Sequence, residues 1–308
     1  MRVVFMGTPD FAVPVLEGLI ENYDVVGVVS QPDKEVGRKR ILTPTEVKKV
    51  ALLHDIKVLQ PKRIRDEYQE VLNLEPDIIV TCAYGQIIPK EILNYPRLGC
   101  INVHGSLLPK LRGGAPIHHA IIDGLEETGM TIMYMDEKMD SGDIISQRSI
   151  KIEDSDTVET LWDKMSVLGR DLLLDTMPSI INGTNERIKQ NEEEVTFGLN
   201  IKREEEHIDF NRTSREVFNR IRGLSPIPGA YALLDGKEMK IYSCEVSDKK
   251  YEGVPGEIVE TLKNGFVVCT KDSSVVILDV KPFGRCRMSA NAYINGVRSF
   301  GLIGKVFS

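Results

Sequence analysis

Short β-branched runs alternate with helix-like stretches along the first two-thirds of the chain, and this alternation constrains the fold more than any other feature. Strands are predicted at Val3–Met6, Val25–Ser30, Val58–Gln60, Asp77–Ala83, Cys100–His104 and Thr131–Met135. Helices are predicted at Pro9–Asn22, Thr43–His54, Arg65–Leu74 and Thr157–Ile181. A strand, a helix and a second strand in succession make parallel neighbours, with the helix covering one face of the sheet. We therefore predict an α/β domain with a Rossmann-like, mostly parallel sheet.

The pattern changes after an acidic, polar stretch. Five short strands are predicted at Tyr231–Leu234, Met239–Val246, Gly256–Leu262, Gly265–Thr270 and Ser274–Pro282. Turn pairs such as Asp235-Gly236 and Asn264-Gly265 separate them, which is typical of hairpins. Five short strands favour a C-terminal OB-like β-barrel domain. The predicted organisation is a catalytic domain at 1–182, a linker at 183–207 and a β-barrel domain at 208–308.

Charge is distributed unevenly along the chain. The net charge of −7 argues against a protein that coats nucleic acid, yet residues 208–308 hold 15 Lys and Arg against 11 Asp and Glu, and the remainder holds 24 against 35. The loop Asp33–Arg40 is also basic, with four cations in eight residues. Arg38, Lys39 and Arg40 are therefore candidates for phosphate contacts, with a solvated surface loop as the alternative interpretation.

Cysteine usage and hydropathy limit the class of protein. The five cysteines include no C-x-x-C pair, so we expect reduced thiols and no zinc site. Gly7, Pro9 and Pro14 interrupt the apolar N-terminus, so neither a signal peptide nor a membrane span is expected. A cytoplasmic monomer is the resulting prediction.

The segment Asn102–Pro109 is the strongest chemical signal. Asn102 and His104 are two residues apart at the end of an apolar run, so both side chains leave an extended strand by the same face. With Asp140, in a turn before Gly142, they would supply an amide, an imidazole and a carboxylate to one carbonyl. This trio suits acyl transfer without a covalent enzyme intermediate. Taken singly, the three residues could instead end a strand, fill a core and cap a turn.

Two other chemistries find weaker support. Ser106 could be a nucleophile, but no G-x-S-x-G elbow surrounds it. The loop Gly7–Phe11 after the first predicted strand contains neither a dinucleotide nor a nucleoside-triphosphate motif, so those cofactors are disfavoured. A tight turn and a ligand contact are equally good interpretations of that loop.

Several motifs resemble those of the folate-dependent formyltransferases. They are Asn102–Pro109, Arg112–Pro116 and the Asp140–Gly142 turn. Phe5–Ala12, Lys202–Phe210 and Met288–Ala290 are similar to the methionyl-tRNA formyltransferase family in particular, so the resemblance covers essentially the whole chain. Gly114 stands where that family commonly has alanine, and Phe210 where it commonly has tryptophan.

The resemblance implies an activity and a set of site residues. The implied reaction moves a formyl group from 10-formyltetrahydrofolate to the α-amino group of methionyl-initiator tRNA, in support of translation initiation. Asn102, His104 and Asp140 would be catalytic, and no metal is implied. Ser106, Leu107, Leu108 and Pro109 would bind the folate, with its pterin near Gln86–Ile88 and the 136–140 loop. The loop around Arg38, Lys39 and Arg40 would meet the tRNA acceptor end.

Three alternatives remain at this stage. Glycinamide ribonucleotide formyltransferases are usually shorter and lack the C-terminal barrel. Amino-sugar formyltransferases generally differ around Gly7–Phe11. A catalytically silent RNA-binding protein would need the barrel and the basic loop, but not the trio of polar residues.

Overall fold

The chain folds into two compact units, described by a computed structural model over residues 1–37, 39–297 and 301–308. The first unit contains Met1–Pro116, Glu127–Lys151 and Trp162–Leu199. The second contains Ile117–Glu126, Ile152–Leu161 and Asn200–Ser308. Both units are therefore assembled from separated stretches of sequence.

A seven-stranded sheet forms the centre of the first unit. In spatial order its strands are β5 (Val58–Leu59), β2 (Asp24–Val29), β1 (Arg2–Gly7), β6 (Ile78–Cys82), β7 (Cys100–His104), β8 (Glu127–Tyr134) and β9 (Ile144–Lys151). The first four pairings in this order are parallel. The pairings of β7 with β8 and of β8 with β9 are antiparallel. The predicted Rossmann-like, mostly parallel sheet is confirmed as a mixed sheet with an antiparallel edge.

The sequence did not predict β9. Only its first two residues are buried, the other six alternate between partly and fully exposed positions, and Gln147 and Arg148 interrupt the apolar pattern. The central strands have a different pattern, since β6 is buried at every position. A strand buried on both faces is a continuous apolar run, whereas an edge strand is half polar and easily missed.

Helices pack around the sheet and in the second unit. They are α1 (Val13–Asn22), α2 (Glu46–Leu53), α3 (Ile64–Glu67), α4 (Gln69–Leu72), α5 (Lys90–Leu93), α6 (Pro116–Ile122), α7 (Val158–Ile181), α8 (Ser214–Gly223) and α9 (Ala290–Val297). Short 3-10 helices lie at Asp10–Ala12, Glu192–Glu194 and Arg203–Glu206. The start of α2 differs from the predicted Thr43, because Thr45 accepts the hydrogen bond from Lys48 N that caps the helix.

The second unit contains an antiparallel sheet. Its strands are β10 (Ala230–Leu234), β11 (Lys237–Ser247), β12 (Ile258–Thr261), β13 (Phe266–Cys269), β14 (Ser274–Pro282) and β15 (Met288–Ser289). They pair in the order β10-β11-β14-β13-β12, with β15 on β14. The predicted antiparallel character is confirmed. Asp235 and Gly236, which join β10 to β11, both have positive φ, as the predicted hairpin turn requires.

The finer prediction of an OB-like barrel is not confirmed. Within the described residues, the ladder runs open from β10 to β12. Isolated bridges join the chain near Val306 and Phe307 to Glu257 and to Leu234. These bridges lie at the two edges of the ladder, but they add no continuous strand.

One further finding concerns the helices alone. In the ranges that the structure describes, no helix combines the length and the hydropathy that a bilayer crossing needs.

Candidate active site

Strand β7 brings two of the predicted site residues to the carboxyl edge of the sheet. It lies between β6 and β8, with Asn102 opposite Thr81 on one side and His104 opposite Thr131 on the other. The strand order reverses next to β1, which has β2 on one side and β6 on the other. Open α/β sheets bind ligands outside the carboxyl ends of their strands near such a reversal. The predicted residues are therefore at the favoured place in the fold.

The amide of Asn102 is oriented by its neighbour on β6. The Thr81 hydroxyl donates to Asn102 Oδ1 at 2.8 Å. This contact identifies the amide oxygen and leaves Nδ2 as the group that faces away from Thr81. Over the described residues, Nδ2 has no hydrogen bond to protein. Asn102 can thus present an N–H donor to a ligand without losing an internal bond.

His104 is held in a fixed orientation at the end of β7. The ring is buried, and its Nε2 lies 3.2 Å from the carbonyl oxygen of Leu111. A carbonyl only accepts, so Nε2 carries a proton and donates it there. The other nitrogen, Nδ1, faces Asp140 Oδ1 at 3.8 Å. That separation is too long for a hydrogen bond but close enough for charge interaction.

Asp140 divides its two carboxylate oxygens between partners. Oδ2 accepts the backbone N–H of Gly113 at 2.9 Å, and Oδ1 is the oxygen that faces His104. The residue has φ of +50°, in the left-handed region that Asp adopts more readily than most side chains. Two residues on, Gly142 has no room for a side chain, because a Cβ would lie 1.9 Å from Tyr134 O. The turn therefore has a narrow choice of sequence.

The predicted folate segment forms a tight turn. The Ser106 hydroxyl is buried and donates to Lys110 O at 2.6 Å. Thr131 donates its hydroxyl to Ser106 O at 2.6 Å and accepts the Leu108 N–H at 3.2 Å. Gln147 on β9 donates to Leu108 O at 2.9 Å. These bonds fix the backbone of the segment, and the Ser106 hydroxyl gives its proton to the Lys110 carbonyl rather than to a base.

A part of the predicted linker belongs to the first unit and pairs with the active-site loops. Ile188 exchanges backbone hydrogen bonds with Ile144 at 2.8 and 2.9 Å. Further along, Arg112 N donates to Thr196 O and Gly198 N donates to Arg112 O, both at 2.9 Å. Residues 188–198 therefore run beside the loops that carry Gly113 and Asp140.

Arg112 lies at the centre of these contacts and is only 5% exposed. Its Nε and Nη2 donate to Gln190 Oε1 at 3.0 and 2.9 Å. Nη2 also contacts Glu192 Oε1 at 2.9 Å. The Arg112 hydrogen bond lowers the pKa of the Glu192 carboxyl below its usual value. Arg112 belongs to one of the motifs that resemble the formyltransferases, but the sequence did not predict its partners.

Gln190 connects this cluster to the catalytic turn. Its Nε2 donates to Asp140 O and to Gly142 O, each at 2.8 Å. The side chain therefore uses both amide protons on the turn and its oxygen on Arg112. Sequence reasoning missed Gln190, because a glutamine in a polar, acidic stretch has the same appearance as any solvated residue.

A cleft of about 600 Å³ opens beside the turn in the first unit. Arg112, Lys138, Met139, Glu192 and Phe197 are among the residues that line it. Met139 and Phe197 are both more than half exposed, so the cleft offers apolar surface next to charged groups. Such a mixture suits an organic ligand that carries polar ends.

The region predicted for the pterin is built around Gln86. Its Oε1 accepts Ile64 N at 2.8 Å, and its Nε2 donates to Pro61 O at 3.2 Å. The next two residues point in different directions, since Ile87 is 88% exposed and Ile88 is buried. The side chain of Gln86 is thus structural, and Ile87 is the accessible apolar group.

The basic loop forms a two-stranded hairpin, β3 (Lys34–Val36) with β4 (Ile41–Thr43). Lys39 and Arg40 are exposed in its turn. Arg40 Nε lies 3.9 Å from Glu35 Oε2, a solvated pair that leaves the guanidinium accessible. Arg38, the third predicted tRNA contact, lies outside the described residues.

The described residues also include possible metal ligands and thiols. The described part of the chain holds no group of three or more His, Cys, Asp or Glu that could bind a metal ion. Cys82, Cys100, Cys244 and Cys269 are buried, and Cys286 is exposed. Burial raises the pKa of the Cys100 thiol to about 12.

Comparisons with known proteins identify the family of the chain. A family model described as formyl transferase matches residues 1–177, and one described as formyl transferase, C-terminal domain, matches residues 200–298. The methionyl-tRNA formyltransferase of Staphylococcus aureus (strain bovine RF122 / ET3-1) is 52% identical over 307 residues, which is 99% of this chain and 98% of the relative. That of Bacillus thuringiensis subsp. konkukian is 56% identical over 302 residues, 97% and 96% of the two chains.

Solved structures share the fold at lower identity. An N-formyltransferase from Helicobacter canadensis in complex with folinic acid and dTDP-3-aminofucose has a TM-score of 0.69 and 22% identity, over 92% of this chain and all of that one (100%). HypX from Aquifex aeolicus in complex with tetrahydrofolic acid has a TM-score of 0.66 and 17% identity, and this chain, matched over 96% of its length, spans only 47% of it. From the family models and the high-identity relatives together, the chain belongs to the formyltransferase family, among the methionyl-tRNA formyltransferases.

Proposed function

We propose that this enzyme transfers the formyl group of 10-formyltetrahydrofolate to the α-amino group of methionyl-initiator tRNA, as a step in translation initiation. The observation that carries the proposal is the grouping of Asn102, His104 and Asp140 at the carboxyl edge of the sheet. The names of the 52–56% identical relatives support the acceptor. The reduced folates in two structural relatives support the donor class.

In the proposed reaction, the folate supplies a formyl group on nitrogen, and the methionyl amine replaces that nitrogen. A new bond forms between the amine nitrogen and the formyl carbon, and the bond to the folate nitrogen breaks. The amine loses one proton and the folate nitrogen gains one, so no redox step is involved. The enzyme must therefore stabilise charge on the formyl oxygen and move a proton.

Asn102 and His104 stabilise the charge that develops on the formyl oxygen. Asn102 Nδ2 is suited to this role, because Thr81 occupies the amide oxygen and leaves the N–H₂ group to the ligand. A protonated His104 adds a positive charge at the same strand end. Because Nε2 is already bonded to Leu111 O, Nδ1 is the nitrogen that faces the reacting groups and Asp140. Fixed donors of this kind need no reorganisation during the reaction.

Asp140 orients His104 and accepts the proton of the attacking amine, directly or through water. The Gly113 N–H fixes Oδ2, so Oδ1 is the oxygen available for both tasks. The 3.8 Å gap to His104 Nδ1 is compatible with a contact that shortens when substrate binds.

The folate lies against Ser106, Leu107, Leu108 and Pro109 in this proposal. The segment offers a rigid surface to an extended organic ligand, because Thr131 and Gln147 fix its backbone. The cleft beside the Asp140 turn would add apolar and charged walls for the rest of the ligand. Ile87, exposed near the same edge, would pack on the pterin. The chemical basis of the fit is a rigid, partly apolar surface beside the proposed acyl-transfer groups.

The tRNA is proposed to contact the β3–β4 hairpin through Arg38, Lys39 and Arg40, and the antiparallel domain at 208–308. The excess of Lys and Arg in that domain supports the second contact. An OB-like form of the domain also stays a proposal, supported by the bridges of Val306 and Phe307 to both edges of the ladder.

The decisive assay is formylation of methionyl-initiator tRNA by the purified protein with 10-formyltetrahydrofolate. Parallel reactions offer glycinamide ribonucleotide, a nucleotide-linked amino sugar and a small amine. Product on methionyl-tRNA alone is expected. Formylation of one of the smaller amines, without reaction on methionyl-tRNA, would replace this function by that of the corresponding formyltransferase. No transfer to any acceptor would leave an RNA-binding protein.

Asn102→Ala should lower kcat by roughly 100-fold or more, the usual loss for one oxyanion donor. Asn182→Ala, an exposed asparagine outside the site, is the matched control and should keep the wild-type rate. Binding of 5-formyltetrahydrofolate and thermal unfolding should be similar in both variants. If Asn102→Ala retained most of its activity, the assignment of Asn102 would fail.

Arg40→Ala should raise KM for methionyl-tRNA with little change in kcat. Its tRNA affinity should also fall less steeply with salt, by about one unit of the logarithmic slope for one lost phosphate contact. The exposed Lys57→Ala is a control outside the hairpin. Unchanged KM and salt slope would remove Arg40 from the tRNA-binding surface.

The proposal also covers the domain limits, the location, the oligomeric state and the metal requirement of the protein. We propose the domain limits 1–182, 183–207 and 208–308, a cytoplasmic location, a monomeric state and action without a metal. Size-exclusion chromatography with light scattering would test the monomer, and activity after exhaustive chelation would test the metal.

A further inference from the structure

We propose that Gln190 is a positioning residue that holds the Asp140 turn in its reactive geometry, and that Arg112 locks Gln190 in place. The inference rests on the proposed function of Asp140 and extends it to a segment whose sequence predicts only a linker. It assigns a role in catalysis to two residues that need not touch the substrate.

Gln190 is hydrogen-bonded to both sides of the Asp140 turn. Its Nε2 donates to Asp140 O and to Gly142 O at 2.8 Å each. The two carbonyls lie on either side of Ser141, so one amide group clamps the turn across the residue that follows Asp140. Asp140 itself has φ of +50°, a conformation that surrounding contacts must maintain.

The side chain of Gln190 is itself held in place by Arg112. Arg112 donates to Gln190 Oε1 through both Nε and Nη2, at 3.0 and 2.9 Å. Because the guanidinium is buried and planar, it fixes the plane of the amide and determines which end faces the turn. Glu192 holds the outer edge of the guanidinium at 2.9 Å.

Arg112 and Gln190 lie close to the proposed reacting groups, because both are connected to Asp140. Arg112 is followed directly by Gly113, whose N–H donates to Asp140 Oδ2. The backbone of Asp140 is therefore held by Gln190 and its carboxylate by Gly113, from two segments that pair with each other. Loss of one hold would shift Oδ1 relative to His104, and a displacement near 1 Å typically costs on the order of 100-fold in rate.

Two substitutions separate the possible roles of Gln190. Gln190→Glu keeps an oxygen for Arg112 but has no donor for the turn, and Gln190→Met lacks both. Each should lower kcat by roughly 10- to 100-fold, while KM for methionyl-tRNA and for the folate changes less than about 3-fold. Glu193→Gln, at an exposed neighbouring position, should keep the wild-type values. A wild-type rate in Gln190→Glu would overturn the proposal, since the donors would then be dispensable.

A double-mutant cycle tests whether Gln190 acts through Asp140. In an Asp140→Asn background, Gln190→Glu should cause no more than about a 2-fold further loss, because residues that act as a unit give non-additive effects. Multiplication of the two losses would refute the coupling. A fall in thermal stability that accounts for the lost activity would reduce Gln190 to a structural role.

If the Gln190 variants do not fold, Arg112→Lys provides the test. Lysine keeps the charge but cannot hold the amide plane with two nitrogens, so kcat should fall about 3- to 10-fold at unchanged KM. An unchanged kcat would overturn the proposal. A wild-type protein inactive on methionyl-tRNA would instead refute the proposed function. The ratios of variant to wild-type kcat would then be measured with whichever amine the protein does formylate.

Discussion

At the scale of single residues, the turn that carries Asp140 depends on the absence of one side chain. Gly142→Ala would place a Cβ 1.9 Å from Tyr134 O, against backbone that cannot move without disturbing β8. We expect a loss of stability of about 1–3 kcal/mol, as for other overpacked sites, together with loss of formyl transfer. Thermal unfolding and the formylation assay measure the two effects. Gly183→Ala, where a Cβ meets nothing within 4 Å but φ is positive, reports the conformational cost alone.

The thiols give a second prediction for individual residues. Cys286 is exposed, whereas the other four cysteines are buried, and burial raises their thiol pKa values. A thiolate is the reactive form, so a disulfide reagent near pH 8 should modify one cysteine of five in the native protein within minutes. Mass spectrometry should place the label on Cys286. Rapid modification of two or more thiols would contradict the buried positions.

The residues of the site were not equally predictable. Asn102 and His104 could be placed on one face of a strand end because strand geometry has a period of two. Asp140 could be grouped with them by its chemistry, as the carboxylate that an amide and an imidazole would need, but strand periodicity does not reach a residue 36 positions further along the chain. Gln190 and Glu192 gave no signal, since their role arises from backbone pairing between distant segments such as Arg112 with Thr196. Sequence patterns report local periodicity, and such long-range pairing has none.

At the scale of elements, α8 depends on its first turn. Thr213 Oγ1 caps the helix by accepting the Glu216 N–H, and the Thr213 N–H donates to Glu216 Oε2 at 2.9 Å. Thr213→Ala should destabilise the second unit by about 1 kcal/mol, the usual effect of a lost cap. Chemical denaturation monitored by circular dichroism measures the loss. No change in the unfolding midpoint would mean that α8 is held by packing alone.

The same cap gives a pH dependence. Hydrogen bonds from the Thr213 side chain and backbone lower the pKa of the Glu216 carboxyl below its usual range. A lowered carboxyl pKa stabilises the fold above the unfolded pKa, and this stabilisation is lost as pH falls through the folded pKa. Glu216→Gln should therefore flatten the decline in stability below about pH 5. Glu245→Gln, an exposed strand position, should leave the decline unchanged.

The types of secondary-structure element were predicted more reliably than the closure of the C-terminal sheet into a barrel. The central strands of both units were identified because buried β-branched runs are distinctive, as at β6 and β13. The edge strand β9 was missed because only two of its eight residues are buried. The barrel was not confirmed, since strand number and length do not determine whether the ends of a ladder meet.

At the scale of the whole molecule, the second unit uses two short segments from earlier in the chain. Arg222 is buried, and its Nη1 donates to Glu153 O at 2.8 Å and to Asp156 O at 3.0 Å. A fragment of residues 200–308 alone lacks both acceptors and the segment that carries them, and so loses hydrogen bonds to a charged group that are typically worth about 1.5–3 kcal/mol each. We expect this fragment to show no cooperative unfolding by calorimetry. A fragment that melts as the intact unit does would contradict this expectation.

The discontinuous composition of the units could not be obtained from sequence texture. Residues 117–126 and 152–161 lie within the α/β region of the sequence, yet they belong to the second unit by contact. Gly223, for example, is so close to Ile121 and Ile122 that a Cβ would lie 2.7 Å from a side-chain carbon. A change in composition marks where one pattern of secondary structure ends, but it does not show which segments pack together.

The pairing of residues 188–198 with the active-site loops also limits how this stretch can vary in length. Ile188 is fixed to Ile144, and Thr196 to Arg112, so eight residue steps must span one distance between two anchored points. An insertion between the anchors would move Gln190 or Thr196 out of register, whereas one at 183–187 would be absorbed before the first anchor. Although its composition is that of a spacer, the stretch has the length tolerance of a strand.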